Sequence, residues 1–201
     1  MGAGSLTLLE WRRTVRDLYA AVRRESDPAA AHALWRRGRN ALFGSHPDSP
    51  LDRDDARRHD GLPVADYDPA LRFVVPLEPA EPARIEVPTA TDGVVPFHRI
   101  GMLRLDELGT LDAWWLGSYG GGLFVPVRDA TAGRTSYGGG RYLLDTVKGA
   151  DLGSEDDRLV VDLNFLYNPS CAYDPAWACP LPPPGNVLPV AVDAGEQMPD
   201  G

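Results

Sequence analysis

Val94-Val-Pro-Phe-His-Arg-Ile-Gly-Met-Leu-Arg-Leu105, Thr110-Leu-Asp-Ala-Trp-Trp-Leu-Gly117 and Leu123-Phe-Val-Pro-Val127 are three short runs rich in β-branched and aromatic residues. Asp-Glu-Leu-Gly and Ser-Tyr-Gly-Gly-Gly separate them, so they read as strands joined by turns. The pattern continues upstream at residues 71–77 and 83–89. It continues downstream at 141–147, 159–165 and 188–192. Turn residues recur at roughly the 8 to 12 residue spacing of an all-β sandwich or barrel.

Two helices are expected before these strands, over residues 6–44. Thr7-Leu-Leu-Glu10 has the form of a capping box, in which the Thr hydroxyl takes an orphan backbone N–H and the Glu reaches back to the cap. Behind it Leu8, Trp11, Val15, Leu18 and Val22 recur at three and four, which makes one stripe apolar. Asp27-Pro28 is a second start signal, with Ala31, Leu34, Trp35 and Leu42 as apolar positions and Gly44 as the expected stop. Residues 45–68 are polar and proline-rich without a period, and read as an ordered but irregular connection. A helix pair of about 40 residues rarely buries enough surface to stand alone. The expectation is one domain over 1–201 with a mainly β, α+β fold. Its body, residues 71–196, is a curled antiparallel sheet or β-barrel-like unit with the two helices packed on it.

The chain holds 20 basic residues, of which Lys148 is the only lysine, against 29 acidic ones, and its pI is near 4.8. Residues 1–60 carry 11 Arg and 9 acids, whereas residues 61–201 carry 9 bases and 20 acids. An acidic body repels phosphate backbones, which argues against nucleic acid as a partner. Arg12, Arg13, Arg16, Arg23 and Arg24 alternate with apolar positions at helical spacing and read as a solvated helix face. No apolar run reaches the ~20 residues of a membrane span, and no apolar h-region opens the chain. A cytoplasmic protein is expected, with no membrane partner and a homo-oligomer left open. Cys171 and Cys179 are then expected as thiols.

Chemistry concentrates in two segments. The first runs from Val125-Pro-Val-Arg-Asp-Ala-Thr131 to Thr135-Ser-Tyr-Gly-Gly-Gly-Arg-Tyr-Leu143. Its three glycines lack the Gly-Lys-Ser/Thr ending of a phosphate loop and lead into a strand, so a bulge or hairpin is the better reading. Arg128, Asp129 and Arg141 must face water, pair, or line a cavity. A guanidinium fork there would suit a carboxylate ligand. In the second segment, a loop of about 20 residues follows Phe165 and carries Asn168, Cys171, Tyr173 and Cys179, long enough to suggest function.

Enzyme templates fit poorly. Gly117-Ser118-Tyr-Gly120 is one residue out of register for a serine-hydrolase elbow. Cys171 as a thiol nucleophile needs a histidine base, for which His46 is a better candidate than His98 in its apolar strand. The cysteines are eight apart, with no Cys-x-x-Cys or His-x-x-x-His spacing, so no metal and no cofactor is expected. Asp129, Asp145, Asp162 and Glu196 could supply a carboxylate pair, but acids are too plentiful to discriminate.

Phe124-Val-Pro-Val-Arg-Asp-Ala-Thr-Ala-Gly, Tyr137-Gly-Gly-Gly-Arg-Tyr-Leu, Asn164-Phe-Leu-Tyr-Asn-Pro-Ser-Cys-Ala-Tyr, Cys179-Pro-Leu-Pro-Pro, Asn186 and Ala194-Gly-Glu196 together resemble the domain of unknown function 1684 family. Trp11 and His46-Pro-Asp-Ser-Pro-Leu51 extend the resemblance over most of the chain. Val127 stands where the family has Phe. The resemblance implies no activity, but it singles out Arg128, Asp129, Tyr137, Arg141, Asn164, Asn168 and Cys171.

Two functions are therefore weighed. In one, a small polar or anionic molecule binds at a barrel mouth through Arg128, Arg141, Tyr137, Asn164 and Asn168, with Cys171, Asp129 and His46 available for hydrolysis or proton transfer. In the other, a structural or interaction module uses the same residues as a buried polar network. Adjacent Trp114 and Trp115 are expected on opposite sheet faces.

Overall fold

The computed structural model describes residues 3–88, 93–117 and 119–198. Thr89, the last residue of the 83–89 run, and Ser118 of the elbow lie outside the described residues. The chain opens with α1 (Ala3–Arg24) and α2 (Pro28–Ser45), joined by a tight three-residue link into a helical hairpin. The stripe on α1 buries Tyr19 and Val22 and half-buries Trp11, Val15 and Leu18. Thr7 does not start this helix, which already runs from Ala3. The second start is as expected, with the Asp27 carboxylate accepting from Ala29 N at 2.9 Å and Ala30 N at 3.5 Å. Residues 45–68 are ordered by Arg58, whose guanidinium donates to the carbonyls of Gly44, Leu51 and Asp52. One turn of helix, α3 (Arg57–Asp60), sits within that stretch.

Among the described residues eight strands follow: β1 (Arg72–Val75), β2 (Arg84–Pro88), β3 (Val94–Leu105), β4 (Gly109–Leu116), β5 (Gly122–Val127), β6 (Arg141–Asp145), β7 (Ser154–Glu155) and β8 (Arg158–Asp162). They form two antiparallel sheets, ordered β2-β3-β4-β5-β6 and β1-β8-β7. The sheets do not close into a barrel. The outer edge of β6 is occupied by a loop, with Tyr142 N donating to Tyr167 O at 2.8 Å and Tyr167 N returning to Tyr142 O at 3.0 Å. β8 spends its ladder on β1 and β7 instead, so no strand bridges the two edges.

Residues 188–192 form no strand, and the backbone bends at Pro189 and Val190. Pro189 has no N–H to give, and the segment bonds to the loop after β5, with Leu188 N on Arg128 O and Ala130 N on Val190 O. β7 is an addition to the expected strands. Its hairpin turns on Asp156 and Asp157, both at positive φ (47° and 62°), the backbone of a tight two-residue hairpin.

The five-stranded sheet is buried on both sides at its centre. Leu103, Leu111, Ala113, Val125 and Leu143 meet the helices and the smaller sheet. Phe97, Trp114, Phe124 and Tyr142 form a second cluster on the other side. The buried positions of β3 are odd-numbered throughout, and a bulge between Arg99 and Gly101 turns them from one cluster to the other, Val95 and Phe97 before it and Leu103 and Leu105 after it. Trp114 is buried and Trp115 is 44 % exposed, as strand alternation requires.

The glycine triplet is structural. Gly140 has φ 84°, and a Cβ there would lie 2.9 Å from Val127 O. Gly140→Ala is therefore expected to cost about 1–3 kcal/mol through backbone strain, read as a lower urea midpoint.

Candidate functional site

Arg141 does not open onto a ligand site. It is 0 % exposed and uses four of its five N–H donors inside the protein. Nη1 donates to Ala194 O at 2.5 Å and Glu196 O at 3.1 Å. Nη2 donates to Asp129 Oδ2 at 2.7 Å and Val192 O at 3.1 Å. Asp129 Oδ1 accepts in turn from the backbone N and hydroxyl of Thr131. Burial pushes the Asp129 carboxyl up, but Arg141 and the Thr131 donors outweigh it and hold it below the usual carboxylate range. The pair clamps residues 192–196 onto the turn that follows β5. Arg128, expected beside it, is exposed and gives its Nε to Gly138 O at 3.2 Å.

Asn164 is likewise absorbed by the fold. Its side chain joins the Asp68 backbone to Asp162, accepting from Asp68 N and donating to Asp68 O, each at 2.8 Å. Asn186 bonds Trp114 Nε1 and the carbonyls of Asp112 and Pro126. His46 does not pair with Cys171. It accepts from Asp48 N at 3.1 Å and meets Trp11 edge-on.

A cavity lies elsewhere, between the helical hairpin, the end of β6 and the loop from Tyr167 to Cys179. It has a volume of about 110 Å³, and Trp11, Tyr19, Phe43, Tyr142, Tyr167 and Tyr173 supply its aromatic wall. Arg39 and Asn168 belong to the same wall. The Arg39 guanidinium lies over the rings of Trp35, Phe43 and Tyr167 at 5.2, 4.7 and 5.1 Å, and its Nη2 meets Glu196 Oε2 at 2.7 Å. Glu196, wholly buried, also accepts from Asn168 N at 3.0 Å and from the Tyr173 hydroxyl.

Two polar atoms in this wall have no partner, Arg39 Nε and Asn168 Oδ1. Their residues are 9 % and 5 % exposed. Unpaired buried polar atoms are uncommon because each costs about 1–3 kcal/mol. Charge is balanced here: Arg39 faces Glu196, and Lys148 sits 3.7 Å from Asp145. Burial raises the Asp145 carboxyl, while Lys148 opposes that shift. Burial also raises Tyr19 to about 12 and Tyr167 and Tyr173 well above their ordinary value, so these hydroxyls stay protonated at neutral pH.

Asn168, expected to bind a ligand, lies in the wall of this cavity beside Arg39, which the sequence reading did not single out. Its signal was present, because Trp35, Arg39 and Phe43 recur every fourth residue and so share one helix face. Tyr137, from the connection between β5 and β6, meets Cys171 of the loop from Tyr167 to Cys179, with its hydroxyl 3.7 Å from Cys171 Sγ. Both cysteines are thiols. Among the described residues no cluster of three or more His, Cys, Asp or Glu side chains could hold a metal, and no helix is long and apolar enough to cross a membrane.

Two helices on a pair of antiparallel sheets, with a C-terminal segment clamped by a buried arginine beside an aromatic cavity, define an α+β protein with an internal pocket. The chain belongs to the DUF1684 family of proteins of unknown function, whose model matches residues 57–197. It is similar to the uncharacterized protein from gene locus rrnAC0354 of Haloarcula marismortui, solved by solution NMR. The two are 33 % identical, the match covers 81 % of this chain and 89 % of that one, and the TM-score is 0.56. No curated protein matches the sequence.

Proposed function

We propose that this protein binds a small, neutral, polar molecule with an apolar body in the cavity between the helical hairpin and the Tyr167–Cys179 loop. The observation that carries this is the pairing of an aromatic cavity with two unpartnered buried polar atoms in its wall, one donor and one acceptor. Well-packed interiors rarely keep such a space. A cavity near 150 Å³ accommodates benzene, so about 110 Å³ with one open side suits a body of roughly single-ring size. Charge balance favours a neutral ligand, because a carboxylate would meet Asp145 as well as Arg39, whose charge Glu196 already balances. The loop is the wall that yields, since beyond Tyr167 its regular structure is limited to the turn Ser170–Ala172 and a second turn at Asp174–Trp177. The buried motif residues Asp129, Arg141 and Asn164 hold the walls in place, so for them the structural role is the better reading.

Benzamide carries an acceptor and a donor on one ring and serves as the probe. It is expected to raise the melting temperature in a saturable way, while benzoate at the same concentration does not. Asn168→Ala is expected to weaken benzamide binding by roughly 2- to 12-fold, the equivalent of one net hydrogen bond of about 0.5–1.5 kcal/mol. Equal shifts with benzoate would remove the neutral-ligand assignment. No shift with either, together with no retained adduct in native mass spectra of the purified protein, would remove the binding function.

A further inference from the structure

We propose that Cys171 and Cys179 form a dithiol that hydroperoxides oxidise, with Cys171 as the attacking thiolate and Cys179 as the resolving thiol. The two sit at opposite ends of the stretch 172–178, whose tip Pro175–Ala178 is exposed, and the loop folds back so that Cys171 N donates to Cys179 Sγ at 3.4 Å. That contact places the second sulfur beside the backbone of the first cysteine, where a rotation of the Cys171 side chain brings the sulfurs together. The loop between them contains two turns and no sheet ladder, so closing the bond disturbs no strand.

The surroundings favour charge on Cys171 and a proton on Cys179. The Tyr137 hydroxyl donates toward Cys171, its oxygen 3.7 Å from the sulfur, and the Cys179 sulfur lies against the Cys171 backbone N–H. The neighbouring Cys179 thiol lowers the Cys171 thiol to about 6, against the opposing effect of burial, and the Tyr137 donor adds to the lowering. The same pairing, with burial, raises Cys179, and Lys148 partly opposes that rise. Tyr137 is itself raised to about 12, first by burial and then by its bond to Cys171, so it stays a donor. Cys171 is half-exposed, which combines thiolate character, access and a neighbouring thiol.

The chemistry balances in two steps. The Cys171 thiolate attacks one oxygen of a hydroperoxide, the O–O bond breaks, and sulfenic acid forms with release of hydroxide or alkoxide. The Cys179 sulfur then attacks the sulfenic sulfur, the S–S bond forms, and water leaves with the thiol proton. The two sulfurs lose two electrons and the peroxide gains them. A dithiol reductant reverses the bond by exchange. Cys179 also lines the cavity, but the dithiol stands without the ligand reading, and benzamide is absent from its test.

The test uses the full chain, reduced with dithiothreitol and freed of it. Hydrogen peroxide at pH 7 is expected to lower the intact mass by two hydrogens and to block both thiols to iodoacetamide, and dithiothreitol is expected to reverse both changes. Cys179→Ser is expected to gain a single oxygen on Cys171 that dimedone captures, and Cys171→Ser to show neither product. Independently, alkylation of Cys171 in the reduced wild type is expected to rise only about twofold from pH 6 to pH 8. An ordinary cysteine of pKa near 8.5 rises by about 75-fold over that range. Tyr137→Phe steepens the Cys171 profile. An ordinary profile for Cys171, or thiols that remain alkylatable after peroxide, would overturn the proposal.

Discussion

Arg141→Ala is expected to lower stability by about 3–5 kcal/mol, the range for breaking a buried ion pair by removing one partner. The substitution leaves Asp129 charged and buried and removes the guanidinium donors from the carbonyls of Val192, Ala194 and Glu196. Asp129→Ala is expected to cost a similar amount, and the double variant much less than the sum, because each single change already breaks the shared interaction. Arg141→Lys keeps the charge but not the planar fork, and should fall between wild type and Arg141→Ala. Urea unfolding of the four variants checks this. A folded Arg141→Ala with wild-type stability would free Arg141 from its structural role and return it to the candidates for ligand contact.

Acid is expected to weaken the protein through His32. Its ring is buried among Trp35, Tyr67 and Phe165, and its Nε2 has no partner. Burial first, and Arg36 second, lower its pKa from 6.5 to about 4, against small raising effects from the Asn164 backbone and Asp66. A base whose folded pKa is depressed binds its proton more readily when unfolded. Stability is then intact above pH 6.5 and lost as pH falls from there to about 4, by up to roughly 3 kcal/mol at 1.36 kcal/mol per unit. Asp145 and Asp162, both raised first by burial, act in the opposite sense: the folded state protonates them before the unfolded one does. The difference in pH dependence between wild type and His32→Phe isolates the histidine. Parallel stability curves between pH 7 and pH 5 would show that His32 does not report on unfolding.

Much of the local structure was legible in the chain. The Asp27-Pro28 start, the α1 stripe and the principal strand runs could be read because capping, turn chemistry and side-chain alternation act over a few residues. The Trp114-Trp115 split followed from the two-residue period of a strand. The misplacements are of the other kind. The end of β6 had to pair with something, and nothing local says that this is Tyr167 instead of a strand that would close a barrel. The 188–192 run had the composition of a strand, but Pro189 and the competing donors after β5 took its backbone bonds.

The candidate site divides in the same way. The motif residues stand out in the sequence, but a charged side chain beside a strand reads alike whether it lines a pocket or closes a core. Its partners decide, and those of Arg141 lie 51 to 55 residues away as well as at Asp129. Arg39 meets Glu196 across 157 residues. The sequence by itself thus determined the helical pair, the β-rich body and the family, because those rest on short-range periodicity and long contiguous motifs. Only the tertiary structure decided that the sheets stay open, that Arg141 is a clamp, and that the cavity lies under the helices. Those outcomes depend on which distant groups satisfy one another once water is removed.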